Sequence, residues 1–169
     1  SVVLADLGKV ATAAGTQEAI VQAIKDLEAG TIHVFDTANF TVGQFDKHEG
    51  VSGETMNRLT KERGGEGAVA HGCMSGCIIR CSGLFPDKQG KFQSKWPEYE
   101  TLWSFGPHSG ISDIDAVSRF DYMCDDIGVD TIDVGVAVGV AMAGGGIPYG
   151  DAEAVKAAMQ GISDGTPLG

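Results

Sequence analysis

The stretch SDIDAVSRFDYMCDDIGVDTI, residues 112–132, decides the fold. Ser112, with Asp115 three residues on, resembles a capping box, and Ile114, Val117 and Phe120 follow at helical spacing as far as Asp126. Gly128 suits the left-handed residue that closes a helix. A second helix is predicted over Thr131 to Met142, with Val134, Val138 and Met142 at i, i+4 and i+8; Gly135 and Gly139 weaken it but let another backbone come close. Asp151 caps a third, which runs through Val155 and Met159. Upstream, Ser52 starts a weaker helix through Met56 and Leu59, broken by Gly64, Gly65 and Gly67. Thr16 to Glu28 sets Ala19, Ile20, Ala23, Ile24 and Leu27 on one helical face, with Gly30 past its end. Thr31 to Phe45 shows no lasting period and reads as irregular or a short strand, Phe85 to Gly90 as a turn, and Trp96 to Phe105 as an aromatic-rich run. The reading is an all-α, multihelical chain with an irregular cysteine-rich loop, divided into a helical lead-in over 1–66 and the loop with its following helices over 67–169.

The 169 residues, 43% of them apolar, can bury a core as one unit. No apolar run reaches the roughly 18 residues that span a bilayer, and Ser1 to Leu7 has no basic leader, so neither a membrane helix nor a signal peptide is expected. A formal charge of −11 repels phosphate backbones, and Lys88, Lys91 and Lys95 are the densest basic run, which argues against nucleic acid as a partner. Four cysteines are too few for a secreted disulfide scaffold, and the crowding of three between Cys73 and Cys81 favours metal or redox chemistry in a reducing compartment, the cytoplasm. The start without Met and the stop after Ile162 to Gly169 read as a segment of a longer polypeptide.

His71-Gly72-Cys73-Met74-Ser75-Gly76-Cys77-Ile78-Ile79-Arg80-Cys81-Ser82-Gly83 carries the densest chemistry. Thiolates are soft ligands, three this close can converge on one metal centre, and the glycines free backbone amides for sulfur. A second reading is a helix whose i, i+4, i+8 cysteines pack in the core. Zinc with His71 as fourth ligand is a third, and a [4Fe–4S] cluster needs a fourth cysteine, of which only Cys124 remains. Asp125, Asp126 and Asp130 crowd the C-terminus of a helix, where the macrodipole disfavours negative charge. Turned by Gly128, Asp125 and the backbone around Val129 could face one ligand, and a carboxylate suits the paired N–H donors of an aminopyrimidine. The plain alternative is a solvated, glycine-capped helix end. Glu100 lies among Trp96, Tyr99, Trp103 and Phe105, where an inward orientation would desolvate it and raise its pKa toward the range useful for proton transfer.

Four ordered landmarks, Cys73 to Cys81, Pro97 to Trp103, Gly106 to Asp115 and Cys124 to Ile132, together resemble the tungsten-containing aldehyde:ferredoxin oxidoreductase family. The resemblance implies the fold of that family's helical domains and the oxidation of an aldehyde to a carboxylate with ferredoxin as electron acceptor. It implies that Cys73, Cys77 and Cys81 ligate a [4Fe–4S] cluster beside a tungsten or molybdenum bis-pyranopterin, with the fourth cysteine supplied by a later part of the chain. Asp125, Gly128, Val129 and Asp130 would bind one pterin, and Glu100 would be the acid/base group. The spacing Cys-x3-Cys-x3-Cys departs from the family's Cys-x2-Cys-x3-Cys, and Val129 replaces the usual Leu. The family's N-terminal pterin-cradling domain and its later C-terminal motif are not in this sequence, so the rest of the enzyme chain or a further copy is an expected partner. The acidic charge places ferredoxin docking on other parts. The rivals are a non-catalytic zinc or iron–sulfur module using His71 or Cys124 as fourth ligand, and a metal-free helical interaction domain.

Overall fold

The computed structural model describes residues 38, 39 and 45–166. The expected helix over Thr16 to Glu28, and all of Thr31 to Phe45 except Ala38, Asn39 and Phe45, lie outside them.

Helix α1 (Gly53–Arg63) starts as its sequence predicts: Ser52 Oγ accepts from the Thr55 amide at 3.1 Å, and Gly64, at φ 60°, closes the other end. The chain is mostly helical, as expected, but it is not purely all-α. Strands β1 (Ala68–His71), β2 (Ser82–Pro86) and β3 (Phe92–Lys95) form an antiparallel sheet in the order β1-β2-β3. Phe85 and Pro86, read as part of a turn, end the central strand. The turn itself begins at Asp87, whose Oδ1 accepts from the amides of Gln89 and Lys91, both at 2.8 Å, and it reverses at Gly90 (φ 76°). Strands of four or five residues are too short to develop a readable alternation, so only the turn chemistry announced this hairpin.

Four more helices follow: α2 (Tyr99–Phe105), α3 (Ile114–Ile127), α4 (Thr131–Ala143) and α5 (Ala152–Asp164). The predicted capping box at Ser112 is not formed. Asp113 is the N-cap of α3, accepting from the Asp115 amide at 3.0 Å, while the Asp115 carboxylate turns to Arg63 of α1. Asp151 caps α5 as expected, accepting from Glu153 and Ala154. The core is shared by sheet and helices: Phe85, Phe105, Val117, Phe120, Val155 and Met159 are all buried, and the rings of Phe105 and Phe120 lie 5.3 Å apart. Each such side chain contributes about 1.5–3 kcal/mol of burial.

Two glycines set the spacing that shapes the site. A Cβ on Gly135 would lie 2.6 Å from Ser104 Cβ, and one on Gly139 would lie 2.0 Å from Nε2 of the buried His108. Helix α4 therefore packs directly on α2 and the turn after it, which is the close approach the two glycines predict. Gly135→Ala is expected to cost about 1–3 kcal/mol despite alanine's better helix propensity, because the backbone of α2 must move. The urea unfolding midpoint checks this, and an unchanged or higher midpoint would show that the helices can separate freely.

Candidate functional site

Two contacts bring the expected residues together. Helix α2 is tied to α4 through Thr101 Oγ1 and Thr131 Oγ1 at 2.8 Å. Strand β3 is tied to α3 through Ser94 Oγ and Ser118 Oγ at 2.7 Å. A cleft of about 300 Å³ is lined by Lys95, Glu98, Glu100, Thr101, Asp121, Asp125, Val129 and Asp130. Glu100, Asp125, Val129 and Asp130 are four of the residues singled out in the sequence, converging from a helix start and a helix end some 25 positions apart.

The end of α3 behaves as its sequence implies. Gly128 sits at φ 85°, ψ 35°, and both its amide and that of Val129 donate to the Cys124 carbonyl, at 2.8 and 3.0 Å. This turn carries the chain from Asp125 to Asp130 on one rim. Asp125 Oδ2 is 3.5 Å from Lys95 Nζ, a half-exposed pair of small energetic weight. Asp130 is the N-cap of α4, its Oδ1 accepting from Ile132 and Asp133 at 2.9 and 3.0 Å, while its Oδ2 takes no part in the cap. Gly128 shapes the turn and does not line the cleft.

Glu100 corrects the expectation built on its aromatic neighbours. It is exposed in the first turn of α2, because Leu102 and Phe105 take the inward positions and Tyr99 is itself half exposed. The desolvated carboxyl is Asp121. It is 1% exposed, and neither of its oxygens has a hydrogen-bond partner among the described residues. Thr101 is near enough to favour the ionised form slightly, and its hydroxyl also shares a hydrogen bond with Thr131 in which either oxygen can donate. Burial pushes Asp121 up to about 6, with Lys95 opposing and Asp125 and Glu98 reinforcing. The sequence held a signal for it: Asp121 stands on the stripe formed by Ile114, Val117 and Cys124, where an apolar residue is expected.

A carboxyl with a raised folded pKa binds a proton on folding. Its contribution to stability is therefore most favourable below the ordinary value near 3.8 and is lost as pH rises to about 6. That interval corresponds to a penalty of up to about 3 kcal/mol. Asp121→Asn is expected to gain stability relative to the parent as pH rises from 4 to 7, measured as the difference in unfolding free energy. A difference that stays flat with pH would contradict the burial of this charge.

The cysteine segment is neither a helix nor part of the core. It runs through bends and turns between β1 and β2, with Cys73 and Cys81 exposed and Cys77 partly buried, which removes the packed-thiol reading. Cys77 has a lowered pKa, first because the Arg80 backbone amide hydrogen-bonds to it, then Ile79's, with a further bond from the Cys73 side chain and burial opposing. Cys124 goes the other way. It is fully buried, and burial together with Asp121, Asp125 and Asp130 pushes its thiol up to about 12, so it packs as a small apolar group and is corrected as a candidate fourth ligand. His71 is exposed at the end of β1. A second, more apolar cleft of about 330 Å³, lined by Cys81, Met56, Trp96, Tyr99 and Leu102, meets the acidic one at Glu98.

A sequence model of the family described as "Aldehyde ferredoxin oxidoreductase, domains 2 & 3" matches residues 8–165. The chain belongs to this family. It is 29% identical over 109 residues to the tungsten-containing aldehyde ferredoxin oxidoreductase of Thermococcus kodakarensis, a match covering 64% of this chain and 17% of that protein. The enzyme of the same name from Pyrococcus furiosus is 38% identical over 50 residues, 30% of this chain and 8% of that protein. That of Pyrococcus abyssi is 28% identical over 109 residues, 64% of this chain and 17% of that protein. The chain thus spans under a fifth of the length of these curated relatives.

The donor sets suit the cofactors this family's resemblance implied. Cys77 accepts backbone N–H bonds of the kind that stabilise cluster sulfur, and Cys73 is in contact with it. Among the described residues no three His, Cys, Asp or Glu side chains are gathered as a metal site. The cleft offers carboxylates to a donor-rich ring, with one buried carboxyl still unsatisfied. No helix among the described residues is long and apolar enough to cross a membrane.

Proposed function

We propose that this chain supplies the cluster loop and one pterin-binding motif of an enzyme that oxidises an aldehyde with water to a carboxylate. Cys73, Cys77 and Cys81 hold three corners of a [4Fe–4S] cluster, and the fourth ligand comes from another part of the polypeptide. Asp125 and Asp130 bind the ring edge of one pterin of a tungsten or molybdenum bis-pyranopterin, with Gly128 and Val129 shaping the turn between them. The observation that carries this reading is the convergence of Glu100, Asp125, Val129 and Asp130 on one cleft whose neighbour reaches Cys81.

The reaction RCHO + H2O → RCOO⁻ + 3H⁺ + 2e⁻ releases two electrons, which two ferredoxins take singly. The metal cofactor, when bound, supplies the acceptor for the electron pair. The chain's own residues orient and move protons. Asp130, with one oxygen fixed by two amides, offers the other at a defined position. Glu100, at the solvent edge of the cleft, takes the proton from the water that adds to the aldehyde carbon and passes it outward. Thiolate ligation of a cluster by Cys73, Cys77 and Cys81 fits a reducing compartment such as the cytoplasm.

Anaerobic purification of the full-length protein, with metals, acid-labile sulfide and pterin measured per chain, tests the reading. Iron and sulfide near about four each, together with tungsten or molybdenum and pterin, are expected. Zinc alone, at about one per chain, would overturn it in favour of a structural module.

A further inference from the structure

The proposed roles leave the most unusual group of the cleft unused. Asp121 is buried, lines the cleft, and has both carboxyl oxygens unpartnered among the described residues. Lys95 of β3, Glu98 before α2, Thr101 of α2 and Asp125 of its own helix act on it, and Glu100 and Asp130 line the same cleft. Lys95 is the cation among these, and it stands 3.5 Å from Asp125. Buried polar groups are almost always hydrogen-bonded, so one that lines a cleft without a partner is a group for a ligand to satisfy.

We propose that Asp121 is a further binding residue of this cleft, presenting a neutral carboxyl group to the ring edge of the bound pterin. This rests on the pterin reading above. The edge of a 2-amino-4-oxopyrimidine is not uniform. Its ring N3–H and 2-amino hydrogens are donors, whereas N1 carries no hydrogen and accepts. An ionised carboxylate such as Asp125, with Lys95 as its counter-charge, takes N3–H and one amino hydrogen. A second ionised carboxylate would face the lone pair of N1. A neutral carboxyl instead donates its O–H to N1 and accepts the other amino hydrogen through its carbonyl oxygen, so Asp121 completes the pyrimidine edge that Asp125 begins, and the second oxygen of Asp130 is left to a ring N–H outside that edge. Burial pushes Asp121 up to about 6, and a modest gain from the bound ring therefore holds its proton near neutrality.

Asparagine reproduces the pattern of a neutral carboxyl, one donor beside one acceptor, and leucine fills the space with neither. The test is the full-length holoenzyme with Asp121→Asn and with Asp121→Leu, reading pterin by fluorescence after oxidative release, per iron. Pterin in the Asn protein within about twofold of the parent, and lower by about tenfold or more in the Leu protein at unchanged iron, is the expected result. Equal loss in both would show that an ionised carboxylate is required, and full retention in the Leu protein would show that Asp121 touches no ligand; either overturns the proposal. Asp121→Ala takes the place of the Leu variant if that protein does not fold. A parent protein with iron but no pterin would overturn the cofactor reading itself, an outcome distinct from any pattern among the variants.

Discussion

Cys77→Ser in the full-length protein is expected to lower iron from about four per chain to near zero while leaving the fold intact. The two halves of that expectation have separate causes. Cys77 is the thiol whose ionised form the loop favours: the Arg80 and Ile79 backbone amides and the Cys73 side chain all lower its pKa. Serine offers a harder, poorly ionised oxygen that does not replace a thiolate on iron. Its side chain is nevertheless lodged in a segment whose Met74, Ile78 and Ile79 are 70, 94 and 77% exposed, so little packing within the described residues is lost. Cys124→Ser is the contrasting control. There a hydroxyl enters a fully buried position, stability falls by about 1–3 kcal/mol, and iron stays. Iron and acid-labile sulfide per chain, beside a urea unfolding curve for each variant, separate the two behaviours. Undiminished iron in Cys77→Ser would remove this residue from the ligand set.

Asp115→Ala should lower stability by about 3–5 kcal/mol. Arg63 Nη1 and Nη2 donate to the two carboxylate oxygens at 2.5 and 2.8 Å, a fork that fixes both planes, and Nη1 also donates to the Pro86 carbonyl at 2.9 Å. The guanidinium lies 5.2 Å above the centre of the buried Phe85 ring. Both side chains are nearly buried, 12 and 13% exposed, so removing the carboxylate strands a cation. Lys88 cannot substitute for either partner, being 73% exposed and 3.9 Å from Asp115. Because the pair joins α1, the end of β2 and the start of α3, its loss loosens three elements together. Arg63→Met, which removes the charge and keeps an apolar stem over Phe85, should cost less than Asp115→Ala. The order of the urea midpoints checks this, and the reverse order would show that the carboxylate is the stranded group.

The helices were legible because periodicity and caps agreed. Ser52, Asp151 and Gly128 act as their sequence positions imply, and Val134, Val138 and Met142 face inward. What escaped reading was decided by distant partners. Asp115 looks like a cap residue until Arg63, 52 positions earlier, claims it. The sheet was missed because β2 and β3 show no alternation of their own, and their pairing is set by a turn and by the ring of Trp96, against which a Cβ on Gly83 would lie 2.4 Å away. In the cleft, Asp125 and Asp130 could be named from the turn that joins them. Glu100 and Asp121 exchanged the environments expected of them, since which carboxyl is desolvated depends on how α2 sits on α4, and no local pattern encodes that.

Asp130 shows how one carboxylate can be divided between two tasks. One oxygen holds the first turn of α4, and the other is left to the cleft. Few substitutions at this position can keep both tasks. Asparagine would preserve the helix start while replacing the second acceptor with a donor, and alanine would damage helix and cleft at once. Activity lost on truncating Asp130 would thus overstate its share in recognition, whereas the same change at the exposed Asp125 would report recognition almost alone.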